Sequence, residues 1–246
     1  MKTFGLIGYP LGHSFSKSFF DNKFKNEHID AQYLNFEIPT ISDLTEVLNQ
    51  HPNLMGFNIT IPYKQDIISF LSDITPEAKA IGAVNVVRIE REHTEIRLIG
   101  HNSDIYGFVE SLKPLLKPQH TKALVLGTGG ASKAVIHGLE SLGISYQYVS
   151  RKHSNNCISY DEVSPLILQN YKLIINCTPL GMHPHIEDKP AIDYNQLTTE
   201  HLLYDLVYNP EQTAFLKEGI QRGSTVKNGL EMLHLQALKA WDIWNK

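Results

Sequence analysis

The stretch Lys122-Ala-Leu-Val-Leu-Gly-Thr-Gly-Gly-Ala-Ser-Lys-Ala134 constrains this chain more than any other. Ala123–Leu126 is a short unbroken apolar run, the pattern of a strand buried on both faces of a parallel sheet. Gly127, Gly129 and Gly130 follow at once, and residues 131–142 have helical patterning up to Gly143. A strand, a glycine turn and a helix N-terminus together cradle phosphate. Backbone N–H groups point at the ligand, the helix dipole favours negative charge, and glycine admits close approach. The Gly-x-Gly-x-x-Gly spacing is incomplete, since Ser132 holds the third glycine position. Taken alone, such a loop can be a plain tight turn; the flanking strand and helix point to a dinucleotide site.

The rest of the chain alternates strand and helix signals, which implies α/β architecture with largely parallel sheets. Strands are expected at 3–7, 31–38 and 54–61, and helices at 17–28 and 42–49, the latter capped by Ser42. Segments 83–89 and 95–99 read as an antiparallel hairpin across the charged turn 90–93, so the first sheet should be mixed. Asn102-Ser-Asp104 precedes a helix to about Leu116, and the polar break Lys117–Thr121 leads into the glycine unit. Strands at 144–149, 173–177 and 202–206, alternating with helices, should build a second, doubly wound sheet. Gly229–Trp244 is amphipathic at helical spacing and should pack back on the first domain. The expectation is a mixed-sheet domain, residues 1–104 completed by 230–246, and a Rossmann-like domain, residues 105–229, with a cleft between them.

Composition excludes several classes. A net charge of -4 gives no electrostatic case for nucleic acid or an anionic membrane. The N-terminal apolar run is broken by Gly8, Pro10 and Gly12, unlike a signal peptide or a spanning helix. Cys157 and Cys177 form neither a metal spacing nor a disulfide framework, so a reducing cytoplasm and no metal are expected.

Candidate chemistry lies at strand ends and helix starts. Ser14 and Ser16 flank the first helix; Ser16 can be an ordinary N-cap, or both hydroxyls can grip a carboxylate. In Gly56-Phe-Asn-Ile-Thr-Ile-Pro-Tyr-Lys64, Pro62 suits a first helical position and sets Lys64 in the first turn. A cation there opposes the helix dipole at a cost on the order of 0.3–1 kcal/mol, which a solvated lysine tolerates and a functional one justifies. Asn85 interrupts an apolar run and needs partners if buried. Asp104 can be a helix cap, or can meet Lys64 and relay a proton at a reacting oxygen. Ser150-Arg151-Lys152 follows the second strand of the nucleotide unit with two cations and no acid, which suits a ribose 2′-phosphate and hence NADP. The loops Asn176–Met182, carrying Thr178, and Asp205–Pro210, carrying Tyr208, end further parallel strands. Gln236 reads as exposed, on a helix expected to pass the cleft.

In this order and spacing these stretches resemble shikimate dehydrogenases along nearly the whole chain: Gly8–Ser16, Gly56–Lys64, Gly82–Val86, Gly100–Phe108, Gly127–Ala131, Asn176–Met182, Asp205–Pro210 and Gly229–Ala237. The resemblance implies NADPH-dependent reversible reduction of 3-dehydroshikimate to shikimate, in chorismate and aromatic amino acid biosynthesis. It implies that Ser14 and Ser16 bind the substrate carboxylate, that Thr60, Asn85, Tyr208 and Gln236 hold its hydroxyls and ring, and that Lys64 and Asp104 form the catalytic pair. Asp104 would also touch a substrate hydroxyl. Gly127, Thr128, Gly129, Gly130 and Ala131 would cradle the pyrophosphate, with Ser150, Arg151 and Lys152 at the adenosine ribose and its phosphate. Thr178 is counted with the cofactor residues, and Leu206 and Gly229 would meet the nicotinamide end. Departures from the family pattern are Lys17 for a proline, Ser103 for a threonine, and Ser150-Arg151-Lys152 for Asn-Arg-Thr. Rival readings are an NAD-preferring quinate/shikimate dehydrogenase and a non-catalytic sensor of shikimate or nucleotide. A monomer or homodimer is expected, with a small-molecule substrate and no membrane or nucleic-acid partner.

Overall fold

A computed structural model describes residues 1–12, 14–92 and 95–246. The chain divides into two compact units, residues 1–103 with 237–246, and residues 104–236.

The first unit contains β1 (Lys2–Gly8), α1 (Phe15–Asn26), β2 (Ala31–Glu37), α2 (Leu44–Gln50), β3 (Leu54–Ile59), β4 (Asp73–Ile74), α3 (Pro76–Ile81), β5 (Val86–Glu92) and β6 (Glu95–His101). Its sheet order is β2-β1-β3-β5-β6-β4. β1 pairs parallel with β2 and β3, whereas β5 runs antiparallel to β3 and β6, so the sheet is mixed. Alternation along β1 sends Phe4 and Leu6 to one apolar layer and Ile7 to the other. The Phe4 layer includes Phe20, Phe24 and Tyr33 together with Ala237, Ala240 and Trp244 of the last helix. A side chain at Gly56 would collide with the Trp244 ring, so glycine lets the indole lie on β3. The indole N–H donates to the Val87 carbonyl (3.0 Å).

The second unit holds α4 (Asp104–Leu112), β7 (Lys122–Leu126), α5 (Gly130–Ser141), β8 (Ser145–Ser150), β9 (Cys157–Ser159), α6 (Pro165–Asn170), β10 (Leu173–Asn176), β11 (Leu202–Asp205), α7 (Ala214–Gln221), β12 (Thr225–Lys227) and most of the first half of α8 (Leu230–Trp244). Its six strands are all parallel in the order β12-β11-β10-β7-β8-β9. This is a doubly wound sheet whose order reverses between β7 and β10, where such folds bind ligands beyond the strand ends. The central strands are buried on both faces, as the unbroken apolar run at 123–126 requires.

Local details differ from the sequence expectations. Ser14, not Ser16, caps α1, its hydroxyl accepting from Lys17 N–H (3.2 Å). Ser42 caps nothing: Thr40 precedes a 3₁₀ turn at Ile41–Asp43, and its N–H donates to the Asp43 carboxylate (3.2 Å). The expected turn at 90–93 is strand through Glu92, and His93 lies outside the described residues. Pro62 does not open an α-helix; residues 61–65 form turns leading to a 3₁₀ helix at Asp66–Phe70. The backbone there is used elsewhere, since the Ile61 carbonyl accepts from Tyr9 N–H and the Lys64 carbonyl from Val84 N–H (2.8 Å). Lys64 therefore does not stand in the first turn of an α-helix. Between β10 and β11 the expected helix is replaced by loop and one 3₁₀ turn at Tyr194–Gln196, in a segment broken by Pro179, Pro184 and Pro190. The short strands β9 and β12 carry too few residues to show a period. Among the described residues no helix is long and apolar enough to cross a membrane.

Candidate functional site

The glycine turn lies at the C-terminal end of β7, beside the ends of β8 and β10. Gly127 adopts φ +100°, and a side chain there would meet the Thr178 methyl at 2.8 Å, so only glycine suits the position. Nothing lies within 4 Å of where side chains at Gly129 and Gly130 would stand, which leaves the start of the 12-residue helix α5 open to an anion. Ser132, at the incomplete third glycine position, is fully buried, and its hydroxyl donates to the Gly129 carbonyl (2.7 Å). The hydroxyl thereby fastens the turn from inside. A cavity of about 380 Å³ opens here, lined by Gly127, Thr128, Gly129, Ser150, Arg151 and Tyr160 and floored by residues 177–180. Lys152 is exposed next to Arg151 and is not part of that lining. Burial pushes the Tyr160 phenol up to about 12 and raises the Cys177 thiol, so both stay neutral walls.

The same end of the sheet holds Leu206 and Gly229 together. Leu206 N–H donates to the Asn176 carbonyl (3.0 Å), and a side chain at Gly229 would stand 2.2 Å from the Leu206 carbonyl oxygen. Asp104 opens α4 as its first residue and is nearly buried, rather than standing before the helix. Gly107, one turn on, lets α4 approach α8, where the nearest atoms are Met232 O and Gln236 Cβ. Gln236 is half-buried there, contrary to the exposure expected of it, while Tyr208 is exposed in the loop after β11.

In the first unit Thr60 follows the end of β3, and Asn85 precedes the start of its antiparallel partner β5. Thr60 N–H donates to the Ile7 carbonyl (2.9 Å), and the Lys64 carbonyl is held by Val84, next to Asn85. The buried Asn85 amide is anchored on Ser103: Oδ1 accepts from Ser103 N–H (2.7 Å), and Nδ2 donates to Ser103 Oγ (3.0 Å). Sequence reasoning missed two supporting residues. The phenol of Tyr33 donates to Asn58 Oδ1 (2.8 Å) with Ser16 beside it, while Asn58 Nδ2 donates to the Asn85 carbonyl (3.2 Å). Asn58 interrupts the apolar strand β3 as Asn85 interrupts the apolar run leading into β5, and that was the available signal. Lys64 stands in the first unit and Asp104 in the second. Among the described residues no group of three His, Cys, Asp or Glu could hold a metal ion.

Comparison with known proteins shows what the chain is similar to. The family model for the shikimate dehydrogenase substrate binding domain matches residues 6–87. The chain is 36% identical to a shikimate dehydrogenase (NADP(+)) of Caldicellulosiruptor saccharolyticus, over 99% of this chain and 92% of the relative. The structure of a chorismate mutase/shikimate 5-dehydrogenase fusion protein from Clostridium acetobutylicum is similar with TM-score 0.86 at 35% identity, covering 99% of this chain and 91% of that one. Shikimate 5-dehydrogenase from Thermus thermophilus, solved with NADP(H) and shikimate, is similar with TM-score 0.85 at 30% identity, covering 99% and 93%. With identity at this level along the full length of both chains, the protein belongs to the shikimate dehydrogenase family.

Proposed function

We propose that this chain is an NADP-dependent shikimate dehydrogenase, reversibly reducing 3-dehydroshikimate to shikimate on the route to chorismate and aromatic amino acids. The observation that carries the reading is the open glycine turn at the α5 N-terminus with Arg151 in the wall of its cavity, in a chain of this family. The residues fit the dinucleotide. Gly127–Ala131 offer backbone N–H groups to the pyrophosphate, and Ser150, Arg151 and Lys152 present two cations and no acid to the ribose 2′-phosphate. Leu206 and Gly229 flank the nicotinamide end. When bound, the cofactor supplies or accepts the hydride.

On this reading residues 1–104 with 230–246 form the substrate-binding domain and 105–229 the NADP-binding domain. Ser14 and Ser16 hold the substrate carboxylate, while Thr60, Asn85, Tyr208 and Gln236 hold its hydroxyls and ring. Lys64 stabilises the oxygen that becomes negative and takes part in its protonation, and Asp104 holds the amine and a substrate hydroxyl. The enzyme would work in the cytoplasm, as a monomer or homodimer.

The direct test follows absorbance at the nicotinamide band with purified protein, shikimate and NADP⁺, with NAD⁺ and quinate in parallel wells. Turnover with shikimate and NADP⁺ is expected. Saturable binding without turnover would identify a sensor instead, and faster turnover with NAD⁺ would overturn the cofactor assignment.

A further inference from the structure

Beneath the nucleotide cavity lies a carboxylate that the proposed chemistry does not use. Asp205 ends β11, is completely buried, and accepts three hydrogen bonds. Its Oδ1 receives Asn176 Nδ2 (2.9 Å) and Val207 N–H (3.0 Å), and its Oδ2 receives the Thr213 hydroxyl (2.6 Å). Thr213 in turn caps α7, accepting from Leu216 N–H (3.3 Å). The ends of β10 and β11 and the start of α7 are thus tied to one side chain.

The consequence reaches the cavity through Asn176, also completely buried. The two ends of a carboxamide have almost the same shape, so its neighbours decide which end points where. An ionised carboxylate only accepts, and so does the Leu180 carbonyl that Nδ2 also reaches (3.4 Å), hence the Asn176 NH₂ faces Asp205, the shorter of the two bonds, and its oxygen faces Thr178. That oxygen then receives both Thr178 N–H (3.0 Å) and the Thr178 hydroxyl (2.6 Å). The hydroxyl also accepts from Leu180 N–H (3.3 Å), closing the turn that floors the cavity. With its proton directed inward, Thr178 offers its methyl group to Gly127 and no hydroxyl proton to a phosphate. A reversed amide would set NH₂ against the Thr178 N–H and lose these bonds.

We infer that Asp205 is a positioning residue for the nucleotide cavity, orienting the Asn176 amide and, through it, Thr178 and the 178–180 turn against the glycine loop. This rests on the reading of that cavity as the NADP site. An asparagine at 205 can no longer accept from all three donors, and one buried group is left unsatisfied.

The test titrates NADP⁺ and 2′,5′-ADP calorimetrically into the parent and Asp205→Asn, with steady-state kinetics alongside. Asp205→Asn is expected to weaken both nucleotides by about tenfold, while KM for shikimate moves by less than about twofold. In a Thr178→Val background the same change is expected to add less than half of that effect, because both act along one chain of bonds. Should Asp205→Asn fail to fold, Asn176→Leu, of similar shape, removes the link directly and is expected to show the same loss. Unchanged nucleotide affinity in the folded variant, or equal losses for nucleotide and shikimate, would overturn the inference. A parent chain that binds neither nucleotide would instead end the NADP reading beneath it.

Discussion

Removing the Lys64 amine is expected to lower kcat by roughly 10²–10⁴-fold and to move KM much less, the signature of a lost acid–base group. Near-parental turnover by Lys64→Ala in steady-state kinetics would take the lysine out of the chemistry. Ser14 offers a second residue-scale test, because its two possible roles coexist. The cap uses an oxygen lone pair for Lys17 N–H, and the proton is a separate resource that can go to a carboxylate. Ser14→Ala should cost about 1 kcal/mol in stability through the lost cap. It should also raise KM for shikimate; a lower melting temperature with unchanged KM would leave Ser14 as a cap alone. At this scale the glycine turn was legible because its residues are contiguous. Tyr33, Asn58 and the buried role of Asp205 were not, because their partners are 25 to 29 positions away.

Among the elements, α8 shows how a helix pattern is legible while its use is not. The apolar spacing through Leu233, Ala237 and Trp244 announces a helix, and Leu230–Trp244 is one. Its seat depends on Gly56, a glycine 188 positions earlier that removes the one side chain in the way of the indole. Trp244→Ala should destabilise the chain by about 3–5 kcal/mol, seen as a lowered urea midpoint, since it empties a stacked aromatic layer with Phe4. It also leaves the Val87 carbonyl without its indole donor. A loss below about 1 kcal/mol would mean the layer collapses around the gap. The segment after Thr60 makes the opposite point. Proline and a charged pattern suggested a helix start, yet the carbonyls of Ile61 and Lys64 serve β1 and the β5 approach instead. Tertiary hydrogen bonds overrode a local propensity.

For the molecule as a whole, buried groups set the pH dependence of stability. Burial lowers the pKa of His101, His120 and His201; nearby Arg88, Lys246 and Lys239 add to the effect on His101. The unfolded chain therefore takes up protons that these folded residues refuse, and stability falls as pH drops below about 6.5. Asp205 acts in the other direction. Burial, only partly offset by Thr213, Val207 and Asn176, raises its carboxyl from 3.8 to about 6. Between those values the folded state holds the extra proton, so its contribution is present at low pH and is lost as pH rises through about 6. The span is on the order of 3 kcal/mol. Urea midpoints measured from pH 7 to 4 should fall more steeply for Asp205→Asn than for the parent; parallel curves would assign the buried carboxyl an ordinary pKa. Residue order alone settled the alternation of strand and helix, the phosphate-type turn and the family, because periodicity, turn chemistry and motif spacing are properties of neighbours in the chain. Folding in three dimensions decided the strand order that sets the ends of β7, β8 and β10 side by side, the hydroxyl that caps α1, and the acceptor of each buried amide. Those outcomes follow from which distant backbones pair, since a buried donor takes whatever acceptor packing places within reach.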